Sequence, residues 1–140
     1  MPLVNLKPDA WSRPILVACA ISLLAGCGTD DVPPSVLQTV PANGDREVDP
    51  ALSELSVTFS EQMRDENWSW VHESKKSFPQ MLGHPRFVDG MTRNLLPVRL
   101  EPNKEYVVWL NSEKFTNFRD EAGNSAPPFN LTFRTGAASK

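Results

Sequence analysis

The chain has 140 residues, with 14 Lys and Arg against 17 Asp and Glu for a formal charge of −3; that length suits one ordinary domain and is too short for two with separate cores. A nucleic-acid-binding module concentrates positive charge to displace counterions from phosphate, so this balance argues against one. Hydrophobic residues make up 40% and charged residues 22%, proportions of a folded rather than a disordered chain, and the 13 prolines disfavour a bundle of long helices.

The first element in the chain is an address. Ile15 to Gly26 (ILVACAISLLAG) carries no charge and follows Lys7 and Arg13. Twelve helical residues span about 18 Å, well short of a hydrocarbon core of about 30 Å. The stretch therefore reads as the hydrophobic region of a cleaved signal peptide. It ends in Leu24-Ala25-Gly26-Cys27, which resembles the lipobox of bacterial lipoproteins. That resemblance implies cleavage after Gly26 and membrane attachment through lipid on the Cys27 thiol. Cys19 would leave with the peptide, so the mature chain has no internal disulfide and the fold rests on its core. Loss of Lys7, Arg13 and Asp9 makes the mature chain more acidic, so the acyl chains rather than attraction to anionic lipid would hold it at the membrane. Gly28 stands where an Asp would resemble an inner-membrane retention signal. In a cell with two membranes the outer one is expected, with the domain facing the periplasm or the exterior.

Residues 1–26 thus read as signal peptide, 27–34 (ending Val32-Pro33-Pro34) as a lipid-anchored tether, 35–136 as one domain and 137–140 as a tail. Within the domain, short apolar runs alternate with period two between Gly, Pro, Asn and Asp, and no 3.6-residue period is sustained. Leu55 to Phe59 predicts a strand with Leu55, Val57 and Phe59 on the buried face. Ser60 to Met63 predicts one helical turn, capped by Ser60, that folds Met63 onto the core as a plug. Trp68 to Glu73 and Asn94 to Leu100 are weaker strands, and Pro97 places the latter at an edge or a bulge. Glu105 to Asn111 sets Tyr106, Val108 and Leu110 inward and Val107, Trp109 and Asn111 opposite. Phe129 to Thr135 sets Phe129, Leu131 and Phe133 inward. The count suits an all-β, Greek-key sandwich of about seven strands.

The punctuation between these strands is specific. Thr39-Val40-Pro41-Ala42-Asn43-Gly44, Val48-Asp49-Pro50 and Val57-Thr58-Phe59-Ser60-Glu61-Gln62-Met63, then Leu100-Glu101-Pro102, Asp120-Glu121-Ala122-Gly123-Asn124 and Leu131-Thr132-Phe133-Arg134-Thr135, resemble the bacterial Ig-like domain of the S-layer SbsA type. The resemblance covers about Ser35 to Gly136 and implies an Ig-like sandwich. It fails over Arg64 to Arg93, where any special property of this chain is expected. Asn43-Gly44 and Gly123-Asn124 supply residues that tolerate positive φ at tight connections.

Candidate chemistry is sparse. His72 and His84 with Glu73 lack the spacing of a zinc site, and neither a Gly-x-Ser-x-Gly elbow nor a phosphate loop is present; a small hydrolase using either His ranks last, and no catalytic residue and no cofactor are expected. Asp120, Glu121 and Asn124 offer oxygens to calcium but lack the alternation of a calcium loop, so no metal is expected. Asn67-Trp68-Ser69 and Asn130-Leu131-Thr132 match a glycosylation acceptor without consequence in a bacterial chain, and Lys75-Lys76 reads as solvated surface. Trp68, Trp70 and His72 alternate onto one strand face. Trp70 is expected in the core, as in Ig-like sandwiches, while Trp68, Trp109 and His72 are the candidate binding residues. The function expected is that of a lipid-anchored, non-catalytic Ig-like module of the cell envelope, binding a protein partner or acting structurally. A carbohydrate-binding module for peptidoglycan or another envelope polysaccharide, stacking sugars on exposed tryptophans, is the alternative.

Overall fold

The computed structural model describes residues 28–139. The signal peptide and the lipidation expected at Cys27 lie outside the described residues. Eight strands occur among the described residues: β1 (Val36–Val40), β2 (Glu54–Phe59), β3 (Trp70–His72), β4 (Gln80–Met81), β5 (Arg86–Val88), β6 (Arg93–Arg99), β7 (Glu105–Leu110) and β8 (Phe129–Arg134). One antiparallel sheet runs β1-β2-β6, with β4 and β5 both on the far side of β6; the other runs β3-β7-β8. Because β4 and β5 pair with successive parts of β6, eight strands fill seven positions. The four-plus-three arrangement is that of an Ig sandwich.

Period-two alternation builds the core. Leu55, Val57 and Phe59 from β2, Tyr106, Val108 and Leu110 from β7, and Leu131 and Phe133 from β8 are each at most 2% exposed. They form two clusters, one around Leu55, Leu96, Tyr106 and Phe133, the other around Val57, Phe59, Met63, Leu110 and Phe118. Trp70 and Phe129 pack against both. The Trp70 indole N–H also donates to Asn94 Oδ1 at 2.7 Å, a bond that runs from β3 in one sheet to β6 in the other. Trp70 is thus the inter-sheet residue expected of it. Tyr106, fully buried, keeps its hydroxyl satisfied by accepting from the Glu101 backbone N–H at 2.7 Å.

Met63 is the expected plug, fully buried in the second cluster; a side chain of that size contributes roughly 1.5–3 kcal/mol by burial. The helical turn expected to carry it does not form. The Ser60 hydroxyl instead accepts from the Ser35 N–H, and Ser60 N–H donates to Ser35 O, both at 2.9 Å. These bonds tie the strand end to the start of β1, and Met63 enters the core from an isolated antiparallel bridge to Asp120.

Two further expectations are corrected. Pro97 lies in the interior of its sheet, since β6 has β2 on one side and β4 and β5 on the other. Its missing N–H falls where the neighbouring strand is interrupted: β5 ends its pairing at Leu95, β4 begins at Val98, and the intervening Leu82 N–H donates to Pro97 O. A proline is tolerated inside a sheet there because no partner requires its donor. Asn111, expected opposite the core, is fully buried. The strand stops at Leu110, and Asn111 takes a left-handed φ of 59° that turns its amide inward. Its Nδ2 donates to Phe118 O and Ala126 O, and its Oδ1 accepts from Phe118 N–H, at 2.9–3.0 Å. This one side chain pins the β7–β8 connection and seats Phe118, whose ring lies 5.0 Å from Phe59, 5.9 Å from Trp70 and 6.4 Å from Phe87.

The two flanks of the sandwich differ. On one, the segment after β1 crosses to the second sheet and covers the free edge of β8: Gly44 N–H donates to Thr132 O, Thr132 N–H to Asn43 Oδ1, Arg134 N–H to Asp45 O and Val48 N–H to Arg134 O. Gly44 can make this turn because its φ is +85°. On the other flank β3, of three residues, and the divided β4 and β5 are the outer strands of their sheets.

Candidate functional site

The open flank is built by residues 64–93, the stretch that departs from the family pattern in sequence. The strand expected over Trp68 to Glu73 is only Trp70–His72; before it Ser69 O still accepts from Asn111 N–H at 3.0 Å, and after it Ser77 rather than Glu73 meets β7. The Ser69 hydroxyl accepts from Asn117 N–H at 3.0 Å, and Ser77 O takes the Val107 N–H. Trp68, Trp70 and His72 do not share one strand face as expected, because Trp68 falls outside the strand. Trp70 goes into the core; Trp68 is half-buried against the second cluster; His72 is exposed, edge-on to Phe78 at 6.2 Å.

Trp68 and Trp109 do not form one surface. Trp68 lines an apolar cleft of about 290 Å³ with Met81, Pro85 and Phe115, between the outer strands of the two sheets. Met81, Leu82 and Phe115 are 46%, 51% and 54% exposed there, so this flank shows water more apolar surface than a closed sandwich edge needs. Trp109 sits on the outer face of the second sheet, directly across from Val71 on β3 and Asn130 on β8. It lines a separate cleft of about 500 Å³ with Val71, Glu73, Glu113, Lys114 and Pro128. His72 borders both clefts. His84, the other histidine considered for hydrolysis, is exposed between β4 and β5, and neither ring has a hydrogen-bond partner among the described residues.

A third cleft, of about 530 Å³, opens at the end of the same flank over His72, Lys75, Phe78, Arg99, Glu101 and Lys104. Lys104 Nζ donates to Glu101 Oε2 at 2.6 Å and lies 5.1 Å over the Tyr106 ring. The hydrogen bond to Glu101 holds the Lys104 ammonium above its ordinary pKa against a smaller opposing effect of burial. Sequence reasoning missed this cleft. Lys75 read as solvated surface, and Arg99 lay unremarked within the expected strand Asn94 to Leu100; only the turn that folds the β3–β4 connection over the end of β6 brings them together.

At the opposite end of the sandwich lie the oxygens weighed above against a calcium loop. Asp120 is buried and directs Oδ1 at Asn124 N–H and Oδ2 at Asn124 Nδ2, at 2.8 and 2.9 Å. Its carboxylate neighbours are Asp30 and Glu61, with one oxygen of each within 4.8 Å of the others, and Glu121 is not among them. Asn124 Nδ2 also donates to Asp30 O at 2.7 Å. Partial burial and the charges of Asp30 and Asp120 raise the Glu61 pKa. The two aspartates therefore disfavour ionisation of Glu61, while Asn124 donates to Asp120 and to the Asp30 carbonyl.

A two-sheet antiparallel sandwich with four strand positions facing three and a tryptophan between the sheets defines an Ig-like domain. The chain belongs to the family described as bacterial Ig-like domain, which matches it over residues 30–135. It is similar in structure to the crystallised S-layer protein rSbsC(31-844), at 15% identity and a TM-score of 0.47 over 75% of this chain and 14% of that one. It is likewise similar to surface layer protein SbsC, domains 1–6, at 15% identity and a TM-score of 0.48 over 76% of this chain and 14% of that one. The chain thus spans about a seventh of those proteins' length. No curated protein matches its sequence.

Proposed function

We propose that this protein is a lipid-anchored module of the bacterial cell envelope, an Ig-like domain of the SbsA type held at the membrane through Cys27 and acting without catalysis as a protein-binding or structural unit. The observation that supports it most is the extent of the family match, residues 30–135, on a chain whose preceding residues read as a lipobox. An Ig-like fold hosts many functions, each carried by sites on its surface. The surface available here is the open flank of β3, β4 and β5. A partner strand can add to the free edge of β3, and the exposed Met81, Leu82 and Phe115 beside Trp68 supply apolar anchors. In-cell cross-linking of the lipidated protein, followed by mass spectrometry, tests this reading. One abundant protein attached through residues 68–93 supports it; cross-links scattered over the surface without a recurring partner refute it.

The second reading, a carbohydrate-binding module, is favoured by Trp109. Its indole is half-buried on an outer sheet face with Glu73, Glu113 and Lys114 around it, the mixture of flat apolar surface and polar rim that stacks a sugar ring. His72 stands at its border. Intrinsic fluorescence that stays flat as peptidoglycan fragments and neutral oligosaccharides are titrated in removes this reading, whereas quenching lost in Trp109→Ala establishes it.

A further inference from the structure

The cleft at the end of the open flank has a charge pattern unlike the rest of the molecule. The chain carries a net charge of −3, and elsewhere on this sheet exposed cations sit beside acids, as in Arg86–Glu54 at 2.8 Å and Arg93–Asp89 at 3.0 Å. Here three cationic side chains converge on one concavity from three separate pieces of backbone. Lys75 comes from the β3–β4 connection, Arg99 from the last residue of β6, and Lys104 from the turn before β7. The one acid present, Glu101, is already neutralised by Lys104 at 2.6 Å. Lys75 and Arg99 have no side-chain hydrogen bond or ion pair among the described residues, so both present an uncompensated positive charge to a cleft of about 530 Å³, where an anion can join them. Arg adds a planar fork suited to a carboxylate or a phosphate. Phe78 and His72, stacked edge to face at 6.2 Å, form one wall, against which the uncharged body of such a ligand can rest.

We propose that this cleft is an anion site that takes the carboxylate or phosphate group of an organic acid or an acidic saccharide between Lys75 and Arg99. It is distinct from the Trp109 face, and its ligand is defined by charge rather than by ring stacking. The test is calorimetric titration of the full chain, in detergent micelles, with inorganic phosphate, glucuronate and hexagalacturonate, and with cellohexaose as the neutral control. The three anions are expected to bind with an affinity that falls as salt is raised, and cellohexaose not to bind at this cleft. Equal affinity per group for glucuronate and hexagalacturonate assigns a free small anion as ligand; binding confined to hexagalacturonate assigns an extended acidic glycan. The Lys75→Gln/Arg99→Gln double variant changes two exposed residues and keeps the parent melting temperature. It should lower affinity about tenfold or more, while Trp109→Ala leaves it unchanged. Absence of binding by all three anions overturns the proposal. So does binding that the double variant retains; loss in Trp109→Ala alone would leave the Trp109 reading standing and this one refuted.

Discussion

Asn111 shows how much one polar side chain can decide. It has a left-handed backbone, which Asn tolerates better than most residues, and three hydrogen bonds to the backbone of the long β7–β8 connection. Replacement by Ala leaves the Ala126 carbonyl and the Phe118 N–H without partners, each costing about 1–3 kcal/mol, while Phe118 O keeps its bond from Ala126 N–H. Asn111→Ala is therefore expected to destabilise by about 3 kcal/mol or more and to lower Tm by roughly 10 °C or more, measured by thermal denaturation followed by circular dichroism. Glu61 is the opposite kind of site. Its pKa is raised in the fold by partial burial and by Asp30 and Asp120, so the folded state holds the proton to higher pH than the unfolded chain does. Stability then falls as pH rises from the ordinary Glu range through the raised value. Glu61→Gln removes that penalty: it should raise Tm modestly at pH 7, give no gain at a pH below both values, and gain less in high salt because the site is largely open to solvent.

At the scale of elements, the sheets are joined by a polar bond inside an apolar core. Trp70 Nε1 donates to Asn94 Oδ1, while Asn94 Nδ2, fully buried, has no partner among the described residues. An amide half satisfied in a core costs stability, and the Trp70 bond offsets only part of it. Trp70→Phe strands both ends of the amide and should cost about 2 kcal/mol. Asn94→Leu in that background removes the stranded groups and should recover a large part of the loss, giving a coupling of about 1 kcal/mol or more in a double-mutant cycle read by chemical denaturation. Additive losses would mean that the bond does not join the sheets energetically. The strands themselves were legible wherever one face alternates: β2, β7 and β8 match the sequence reading because period-two apolar runs have one stable way to lie on a core. The short β4 and β5 were not legible. Two or three residues carry no period, and their place is set by β6, on which they lie either side of the gap that Pro97 needs.

For the whole molecule, the position of the chain start matters. Asp30 already touches Asn124 at the acidic end, so a chain anchored at Cys27 would present that end to the membrane and direct the cationic cleft, at the other end of the sandwich, away from it. The anchor is open to a direct test. Cys27→Ser should move the protein from the membrane fraction to the soluble fraction and abolish incorporation of labelled palmitate, with the domain's melting unchanged; retention in the membrane fraction would refute lipid attachment. The amino-acid sequence by itself determined the sandwich class, the faces of the long strands and Met63 as a core plug, because burial of alternating apolar residues is a local pattern with a single outcome. The tertiary structure alone decided the open flank, the inward turn of Asn111 and the meeting of Lys75, Arg99 and Lys104. Each of these joins residues far apart in the chain through loops, and no spacing along a sequence encodes which loops will face one another.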